Sequence, residues 1–377
     1  MSKVTLGEVA MEARESTKDP SGLPVVGLEH LVPGELRLTQ WSESSENTFT
    51  KLFHKGQVLF GRRRAYQKKA AIADFDGVCS GDITVIAARP DRLLPELLPF
   101  IISDDRFFDF AMEKSAGSLS PRVKWAQLAE YTFCLPESLE EQRRLATLLW
   151  SMERTRSAYR NLLIQMDELV KSQFVEMFGI PEANVHGYPI GTIGEVSSDV
   201  HYGTSKKAED NGRFTYLRMN NITYGGELDL TDVKFIDLPE KELEGCLVRR
   251  GDVLFNRTNS KELVGKTCAF MLDSPMVIAG YIIRLRMNGR VTANYLSTFM
   301  NLPSSKKMLM AMAKGAVGQA NINAQEVQAI SIVVPPMPLQ QEFEVLLSET
   351  DKSKLAIRQA LESLEKSRTA IMNRIFG

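Results

Sequence analysis

Two stretches of the sequence, 138–178 and 338–376, place apolar residues at alternating spacings of three and four, which is typical of long amphipathic helices. In the first stretch, Ser138 and Glu141 are spaced as a capping box, and Gly179 stands where a helix can end. A helix of about 40 residues extends for about 60 Å. The pattern therefore predicts two long helices of nearly equal length.

The apolar seam of these helices follows a heptad. Pro338 occupies a first-turn position, and the pairs Glu140 with Arg144 and Asp167 with Lys171 are spaced to support the exposed faces. We expect the helices to pair as an antiparallel coiled coil; the alternative is that each packs on its own globular domain. The seam residues match at a separation of 198 positions: Leu145, Leu149, Met152, Arg156, Tyr159, Leu163, Met166, Val170, Gln173 and Met177 against Phe343, Leu347, Thr350, Lys354, Ile357, Leu361, Leu364, Arg368, Ile371 and Ile375.

Short motifs ahead of each helix recur in the same order. The Thr-Leu-Gly-Glu-Val of 5–9 returns as Thr-Ile-Gly-Glu-Val at 192–196, and the Gly-Gln-Val-Leu-Phe of 56–60 returns as Gly-Asp-Val-Leu-Phe at 251–255. The separation drifts from 187 positions to about 198. Such a drift is expected of a duplicated domain, because surface loops change length more readily than the elements they connect.

Within each half, short strand-like apolar runs alternate with helical stretches, at 93–114 and at 293–314. The prediction is an α/β (α+β) fold in which two homologous globular domains alternate with two long helices, as a pseudo-two-fold internal repeat. The predicted segments are a first globular domain at 1–137, a central helix at 138–179, a second globular domain at 180–337 and a distal helix at 338–377.

Composition and charge argue against several classes of protein. The 377 residues are 44% hydrophobic and 25% charged, as in soluble globular proteins. No window approaches the roughly 18 apolar residues of a membrane span, and the N-terminus lacks a signal-peptide pattern, so we expect a cytoplasmic protein. A net charge of -1 argues against coating nucleic acid without sequence preference, but leaves room for a local basic site. The cysteines form no Cys-x-x-Cys pair, which favours core thiols over a zinc site.

The sequence contains only incomplete matches to known catalytic motifs. The Pro-Pro pair at 335–336 is preceded by Val334 and followed by Met337, which is not a methyltransferase signature. The Gly-Lys-Thr at 265–267 lacks the glycine that a phosphate-binding loop needs five residues upstream, where Ser260 stands. No Ser-His-Asp or Cys-His arrangement is distinctive. The sequence therefore predicts no active site.

Basic and polar side chains cluster directly after the repeated strand of each half. Lysine and arginine neutralise phosphates, forked arginine donors match guanine edges, and amides match adenine. The candidates for DNA binding in the first half are Arg62, Arg63, Arg64, Tyr66, Lys68 and Lys69. Those in the second half are Asn256, Arg257, Thr258, Asn259, Ser260 and Lys261. Different residues at equivalent positions suit two domains that recognise different sequences.

A second cluster of candidates lies early in the second half. Its members are Tyr202, Thr204, Ser205, Lys206 and Lys207, followed by Arg218, Asn220 and Asn221. Near the end of each half, Arg122 with Lys124, and Gln319 with Asn321, are further candidates. Solvated loops are commonly polar as well, and this alternative applies to every single residue. The clustering favours DNA contact for the groups taken together.

On these residues the chain resembles the specificity subunits of Type I restriction-modification systems. The resemblance covers the whole chain and is most specific at 60–80, 202–208 and 251–266, and in the proline-rich entries to the helices that end in Gln142 or Gln341. It implies that each globular domain is a target recognition domain that reads one half of a split, asymmetric DNA target. It also implies that the helix pair sets the unspecified gap.

The resemblance also implies partners. These are two DNA adenine methyltransferase subunits, which hold S-adenosylmethionine, and optionally ATP-dependent restriction subunits; the chain itself is expected to be non-catalytic and to bind no cofactor or metal. The implied phosphate contacts are Lys68, Lys69, Lys206 and Lys207. The implied base contacts are Arg62, Arg63, Arg64, Asn256, Arg257 and Asn259.

Two alternatives stay open. One is a specificity subunit of a related system, in which methylation and cleavage share one partner polypeptide. The other is a protein-protein scaffold that holds two partners without touching DNA.

Overall fold

The structure is a computed structural model that divides into two compact units. It describes residues 1–43, 48–116, 120–313 and 320–377. Unit 1 comprises Met1–Arg160 together with Arg358–Gly377, and unit 2 comprises Asn161–Ile357. Both units contain helices and strands, so the predicted mixed fold is confirmed. None of the helices in the described ranges has the length and hydrophobicity needed to cross a membrane.

Unit 1 is built mainly from antiparallel strand pairs, and one pair, Val25–Val26 with Gly77–Cys79, is parallel. In its described part, one sheet has the order β2-β8-β5-β6, a second has the order β3-β7-β4, and β1 pairs with β9. The strands are β1 (Ser2–Thr5), β2 (Ala10–Glu12), β3 (Val25–Val26), β4 (Lys51–Phe53), β5 (Val58–Gly61), β6 (Ala70–Ile72), β7 (Gly77–Cys79), β8 (Ile83–Ala88) and β9 (Thr132–Leu135). The short helices are α1 (Leu6–Val9), α2 (Leu98–Ile102), α3 (Asp105–Glu113) and α4 (Trp125–Leu128).

The first sheet fixes the segment that follows it. β5 is buried along its whole length, and its Phe60 ring packs against Phe107 of α3 with ring centroids 5.4 Å apart. Burying aromatic side chains of this size contributes strongly to stability, of the order of 2–3 kcal/mol each. The candidate residues from Arg62 onward therefore leave a rigid, central strand.

Unit 2 is also built from several small sheets. In its described part, the strand orders are β11-β19-β15-β17 and β13-β12-β18-β14, and β10 pairs with β21 and β16 with β20. The strands are β10 (Ile190–Thr192), β11 (Ser197–Tyr202), β12 (Phe214–Leu217), β13 (Lys234–Ile236), β14 (Leu247–Val248), β15 (Asp252–Asn256), β16 (Thr258–Asn259), β17 (Thr267–Phe270), β18 (Met276–Ile278), β19 (Ile282–Met287), β20 (Ala320–Asn321) and β21 (Ser331–Val333). The short helices are α6 (Glu240–Cys246), α7 (Ala293–Met300), α8 (Pro303–Met312) and α9 (Ala324–Gln328). Like β5, the central strand β15 is buried throughout.

The two predicted long helices are α5 (Leu139–Phe178) and α10 (Met337–Phe376). Ser138 caps α5 by accepting a hydrogen bond from the Glu140 amide at 3.2 Å, and Gly179 ends it at a φ of 71°. All predicted seam residues are buried or half-buried. Each helix contributes to the cores of both units.

Within unit 1, Leu145 and Leu149 of α5 and Met372 and Phe376 of α10 share one hydrophobic core. The Phe376 ring lies 6.2 Å from that of Phe133. The beginning of the first long helix therefore lies in the same core as the end of the second.

Within unit 2, the opposite ends of the helices share a core. The Phe343 ring of α10 lies 5.4 Å from that of Phe174 and 5.5 Å from that of Phe178. The buried seam residue Lys354 pairs with Asp167, so Asp167 serves α10 instead of its predicted partner Lys171. A charge at a buried seam position needs such a counter-charge, because desolvation is costly.

A buried glutamine anchors the entry to α5. Gln142 accepts a hydrogen bond from the Leu94 amide at 2.8 Å and donates to the carbonyl oxygens of Arg92, at 3.0 Å, and Pro136, at 2.8 Å. Its side chain satisfies three main-chain groups, two in the segment before α2 and one in the residues that lead into α5.

Gln340 does the same for α10. It accepts from the Thr292 amide at 2.8 Å and donates to the carbonyl oxygens of Arg290, at 3.0 Å, and Pro335, at 2.9 Å. Gln341, which the sequence comparison placed opposite Gln142, is exposed. That assignment was wrong by one position, and the seam separation of 198 residues gives the correct partner.

Candidate nucleic-acid interface

In unit 1 the segment after β5 turns sharply and presents two candidate side chains. Arg64 and Lys68 adopt left-handed backbone conformations, with φ of 55° and 51°, on either side of the 3-10 turn Ala65–Gln67. Arg64 is exposed, and 55% of Tyr66 is exposed. The Arg64 amide donates to the Pro121 carbonyl oxygen at 2.9 Å, which holds the segment in place.

Two arginines of unit 1 share one carboxylate. Arg63 Nη1 donates to Asp82 Oδ2 at 3.3 Å, and Arg122 Nε donates to Asp82 Oδ1 at 2.9 Å. Arg63 Nε also donates to Ser120 Oγ at 2.5 Å. Opposite charges held this way stiffen both side chains before any ligand arrives.

The lysines of this segment have partners inside the protein. Lys68 Nζ donates to Asp105 Oδ1 at 2.5 Å, and that carboxylate raises the pKa of Lys68. Lys69 Nζ donates to the Leu28 carbonyl oxygen at 2.7 Å. Arg62 is half-buried, and Lys124 is an exposed residue at the start of α4.

In unit 2 several candidates at the end of β15 and directly after it point inward. Asn256 is fully buried, with its side-chain amide 3.1 Å from the carbonyl oxygens of Tyr281 and Thr258. Thr258 is buried too, and Asn259 is half-buried and accepts from the Ser260 amide at 2.9 Å. Ser260 is half-buried and Lys261 is exposed. Asn256 and Thr258 therefore hold the segment together.

Arg257 is half-buried and lies in an aromatic and polar cradle. Its guanidinium carbon lies 4.7 Å from the Tyr202 ring centroid, and its Nε donates to Asn321 Oδ1 at 3.2 Å. Tyr202 Oη accepts from the Ala324 amide at 2.8 Å. These contacts bring together three candidates from separate stretches of the sequence; Gln319 lies outside the described residues.

Hydrogen bonds of the Thr204 and Tyr216 side chains hold the loop at 204–207 in place. Thr204 is buried and its Oγ1 accepts from the Lys206 amide at 3.2 Å, while Tyr216 Oη donates to the carbonyl oxygens of both residues at 3.0 Å. Lys206 Nζ pairs with Glu242 at 2.8 Å. Ser205 and Lys207 are exposed.

The candidates at 218–221 gather around Asp232. Arg218 Nη2 donates to its carboxylate at 2.9 Å, and Asn220 Nδ2 lies 3.4 Å from the same oxygen. Asn221 is 1% exposed and donates to the carbonyl oxygens of Asp229 and Asp232. Asn221 is thus a structural residue of this turn.

Two lysines that the sequence did not mark as candidates are removed from solvent, Lys266 being buried and Lys306 half-buried. Lys306 Nζ donates to the Gly265 carbonyl oxygen at 3.0 Å and lies 5.0 Å from the Tyr224 ring centroid; Lys266 Nζ donates to the Met219 carbonyl oxygen at 2.7 Å. Burial, with Lys171 and Lys266 nearby, lowers the pKa of Lys306 to about 8. Lys306 lies in α8 and Lys266 directly precedes β17, and neither position carries a DNA-binding signal in the sequence.

The candidate segments expose polar, basic and aromatic side chains. In the part of the chain that the structure describes, no cluster of three metal-ligating side chains is present. Burial raises the pKa of Cys79 and Cys268 to about 12, so neither thiol is a nucleophile at neutral pH. What the surface offers is guanidinium, ammonium, amide and aromatic groups.

Comparisons with known proteins agree with this description. Residues 186–366 match the family of the Type I restriction modification DNA specificity domain. The chain is 25% identical over 176 residues to the putative type I restriction enzyme MjaX specificity subunit of Methanocaldococcus jannaschii, covering 46% of this chain and 41% of the relative. It is 25% identical over 190 residues to the type I restriction enzyme EcoKI specificity subunit of Escherichia coli K12, covering 48% of this chain and 40% of the relative. The chain thus spans about two fifths of the length of these two relatives.

Two solved structures share the fold. One is the S subunit of a Type I restriction-modification system from M. genitalium, with a TM-score of 0.58, 14% identity and coverage of 100% of this chain and 96% of that one. The other comes from work on complex assembly and conformational transition of a type I R-M system, with a TM-score of 0.55, 21% identity and coverage of 99% and 97%. The resemblance predicted from the sequence is confirmed.

Proposed function

We propose that this chain is a Type I restriction-modification specificity subunit and acts as the non-catalytic DNA-reading subunit of such a complex. Each unit reads one half of a bipartite, asymmetric target. The observation that carries the proposal is that the segment after the central strand has the same main-chain anchoring in both units but different side chains.

The anchoring in unit 1 uses Arg62. Its amide donates to the Asp82 carbonyl oxygen at 3.0 Å, and its carbonyl oxygen accepts from the Val123 amide at 3.0 Å. This places Arg63 beside Arg122, with which it forms a β-bridge.

The anchoring in unit 2 uses Arg257. Its amide donates to the Tyr281 carbonyl oxygen at 2.9 Å, and its carbonyl oxygen accepts from the Ile322 amide at 2.9 Å. Here Thr258 pairs with Asn321. At the next two positions unit 1 carries Arg63 and Arg64, and unit 2 carries Thr258 and Asn259. This difference suits two half-targets of different sequence, because arginine and amide side chains prefer different bases.

The candidate side chains divide into two roles. The exposed Arg64, Tyr66, Ser205, Lys207 and Lys261 are free to contact DNA, and their cations supply phosphate affinity. The buried Thr204, Asn221, Asn256 and Thr258 are supporting residues in this proposal, because their polar groups already serve neighbouring main-chain atoms.

The two units are proposed to be copies of one target recognition domain, joined by a pseudo-two-fold antiparallel helix pair. The shared strand orders, such as β2-β8-β5-β6 and β11-β19-β15-β17, support the duplication. The pairing is supported by the cores, since opposite ends of α5 and α10 meet inside each unit. Such a pair fixes the number of unspecified base pairs between the half-targets.

The chemistry of modification belongs to partners. Two DNA adenine methyltransferase subunits would bring S-adenosylmethionine, and ATP-dependent restriction subunits would join them in a complete restriction complex. A methyltransferase flips its target base out of the duplex, so this chain has to hold the adenine within reach of the partner.

The test is to co-purify the chain with its methyltransferase partner and to map adenine methylation across a genome. We expect a split motif with two specified ends and a fixed gap. An intact complex that binds S-adenosylmethionine but methylates no motif would contradict DNA reading and favour a protein-protein scaffold.

A further inference from the structure

Arg122 of unit 1 is held through one end of its guanidinium group. Its Nε donates to Asp82, and its main chain exchanges hydrogen bonds with Ala116 at 3.0 Å in each direction. Among the described residues, Nη1 and Nη2 have no hydrogen-bond partner, and 48% of the side chain is exposed. The two arginines and one carboxylate of this cluster leave a net charge of +1.

Arg257 of unit 2 is held in the same manner by different residues. Asn321 accepts from its Nε, and the Tyr202 ring lies under the guanidinium plane. The terminal nitrogens again have no partner among the described residues. Both side chains are thus fixed at Nε, while Nη1 and Nη2 are available to a ligand.

An arginine fork of this kind matches one base. Nη1 and Nη2 can donate together to O6 and N7 of guanine in the major groove. A side chain that is already ordered loses less conformational entropy on binding, which favours discrimination over loose phosphate attraction. Arg64, which is exposed on a turn, lacks this restraint and suits a phosphate contact.

We infer that Arg122 and Arg257 each recognise a guanine in the half-target of their own unit, and that Asp82 is a positioning residue for Arg122. This inference rests on the proposed function and adds the base that each unit reads. It moves the main base contact of unit 1 from the arginine run at 62–64 to Arg122.

The experiment uses the complex of the chain with its methyltransferase partner and duplexes that carry the mapped motif. Each guanine is replaced in turn by 7-deazaguanine, which lacks the N7 acceptor, or by inosine, which keeps O6 and N7. In each half-target, one 7-deazaguanine should lower affinity by at least about 5-fold, the equivalent of about 1 kcal/mol for a base contact. Inosine at that position should leave affinity unchanged.

Variants assign each guanine to its arginine. Arg122→Ala should abolish the effect of 7-deazaguanine in one half-target only, and Arg257→Ala in the other. Arg122→Lys and Arg257→Lys keep the charge and should lose the same discrimination. Arg89→Ala and Arg250→Ala, which remove arginines at the opposite ends of β8 and β15, are matched controls and should retain it.

Asp82→Asn tests positioning. It removes a negative charge, so overall DNA affinity should hold or rise while discrimination at the Arg122 guanine falls. A merely structural role would lower both.

The outcomes separate the two proposals. A wild-type complex without sequence preference would overturn the proposed function. A complex with a clear motif, but with no guanine whose 7-deaza effect depends on Arg122 or Arg257, would overturn only the present inference. Alanine variants that weaken binding to all duplexes alike and keep the 7-deazaguanine effect would identify these arginines as phosphate contacts and overturn it as well. If an alanine variant fails to fold, the lysine variants and the modified duplexes still decide.

Discussion

Arg64 combines an unfavourable backbone conformation with an exposed cationic side chain. A left-handed conformation costs a residue with a Cβ about 1–2 kcal/mol, whereas glycine adopts it freely. We expect Arg64→Gly to be about 1 kcal/mol more stable than Arg64→Ala, because only glycine relieves the strain. Both variants should weaken DNA binding equally, since both lose the guanidinium group. Denaturant unfolding and binding titrations measure the two effects, and an alanine variant as stable as the glycine variant would count against strain at this position.

Lys306 makes the stability of the protein depend on pH. Its pKa falls from 10.5 in the unfolded chain to about 8 in the folded protein, because burial disfavours the charged form. Between these values the unfolded state binds more protons, so stability should rise as pH increases from 8 towards 10.5. Lys306→Met should remove this gain. We therefore expect wild type to become more stable relative to Lys306→Met between pH 7 and pH 10.

Urea unfolding at several pH values measures this difference. Lys307→Met removes the same charge from an exposed neighbour and provides the reference for the general effect of pH on the fold. If the difference in unfolding free energy between wild type and Lys306→Met does not change with pH, the Lys306 ammonium group is solvated in the folded protein.

At the scale of residues, the sequence marked the candidate segments but not the direction of their side chains. Asn256 and Lys261 are both polar and only five positions apart, yet one is buried and the other exposed. The difference depends on which carbonyl oxygens need a donor, here those of Tyr281 and Thr258. Likewise, Asp82 is distant in sequence from Arg122, so no local pattern indicates that it orients this arginine.

The entries to the long helices depend on single buried glutamines. Gln340→Ala should destabilise the protein by at least about 2 kcal/mol, because one buried amide and two carbonyl oxygens lose their partner. Gln341→Ala, at the exposed neighbour, should change stability by less than about 0.5 kcal/mol. Thermal and denaturant unfolding of the two variants form a matched comparison. Equal effects would mean that the three hydrogen bonds of Gln340 add little to the helix entry.

Elements with strong end signals were predicted closely from the sequence. α5 begins and ends within a residue of the predicted stretch, because a serine cap and a left-handed glycine define its ends. The stretch 93–114 was predicted as one helical region but breaks into α2 and α3, where Asp104 accepts from the Arg106 amide and starts a new helix. In unit 2, the predicted stretch at 293–314 breaks into α7 and α8 at Pro303. This proline is visible in the sequence, but the prediction followed the apolar periodicity instead.

The whole chain is organised differently from its linear order. The sequence predicted domains and helices as separate segments, whereas the compact units divide both long helices near their middle, at 160/161 and 357/358. Contacts far apart in sequence, such as Phe376 with Phe133, produce this division. Sequence periodicity cannot reveal it, because a heptad pattern gives the apolar face of a helix but not which part of that face each core covers.

This division makes the proposed spacing role testable. One heptad inserted into each long helix, at 160/161 and at 357/358, keeps the seam in register and lies outside the cores of both units. Seven residues add about 10.5 Å of helix, which corresponds to about three base pairs of DNA. We expect the methylated motif to keep both specified ends and to gain about three unspecified base pairs between them. An insertion in α5 alone is the control and should abolish methylation, because the two seams no longer match. A double insertion that methylates the original motif would show that the gap is set elsewhere than in the helix pair.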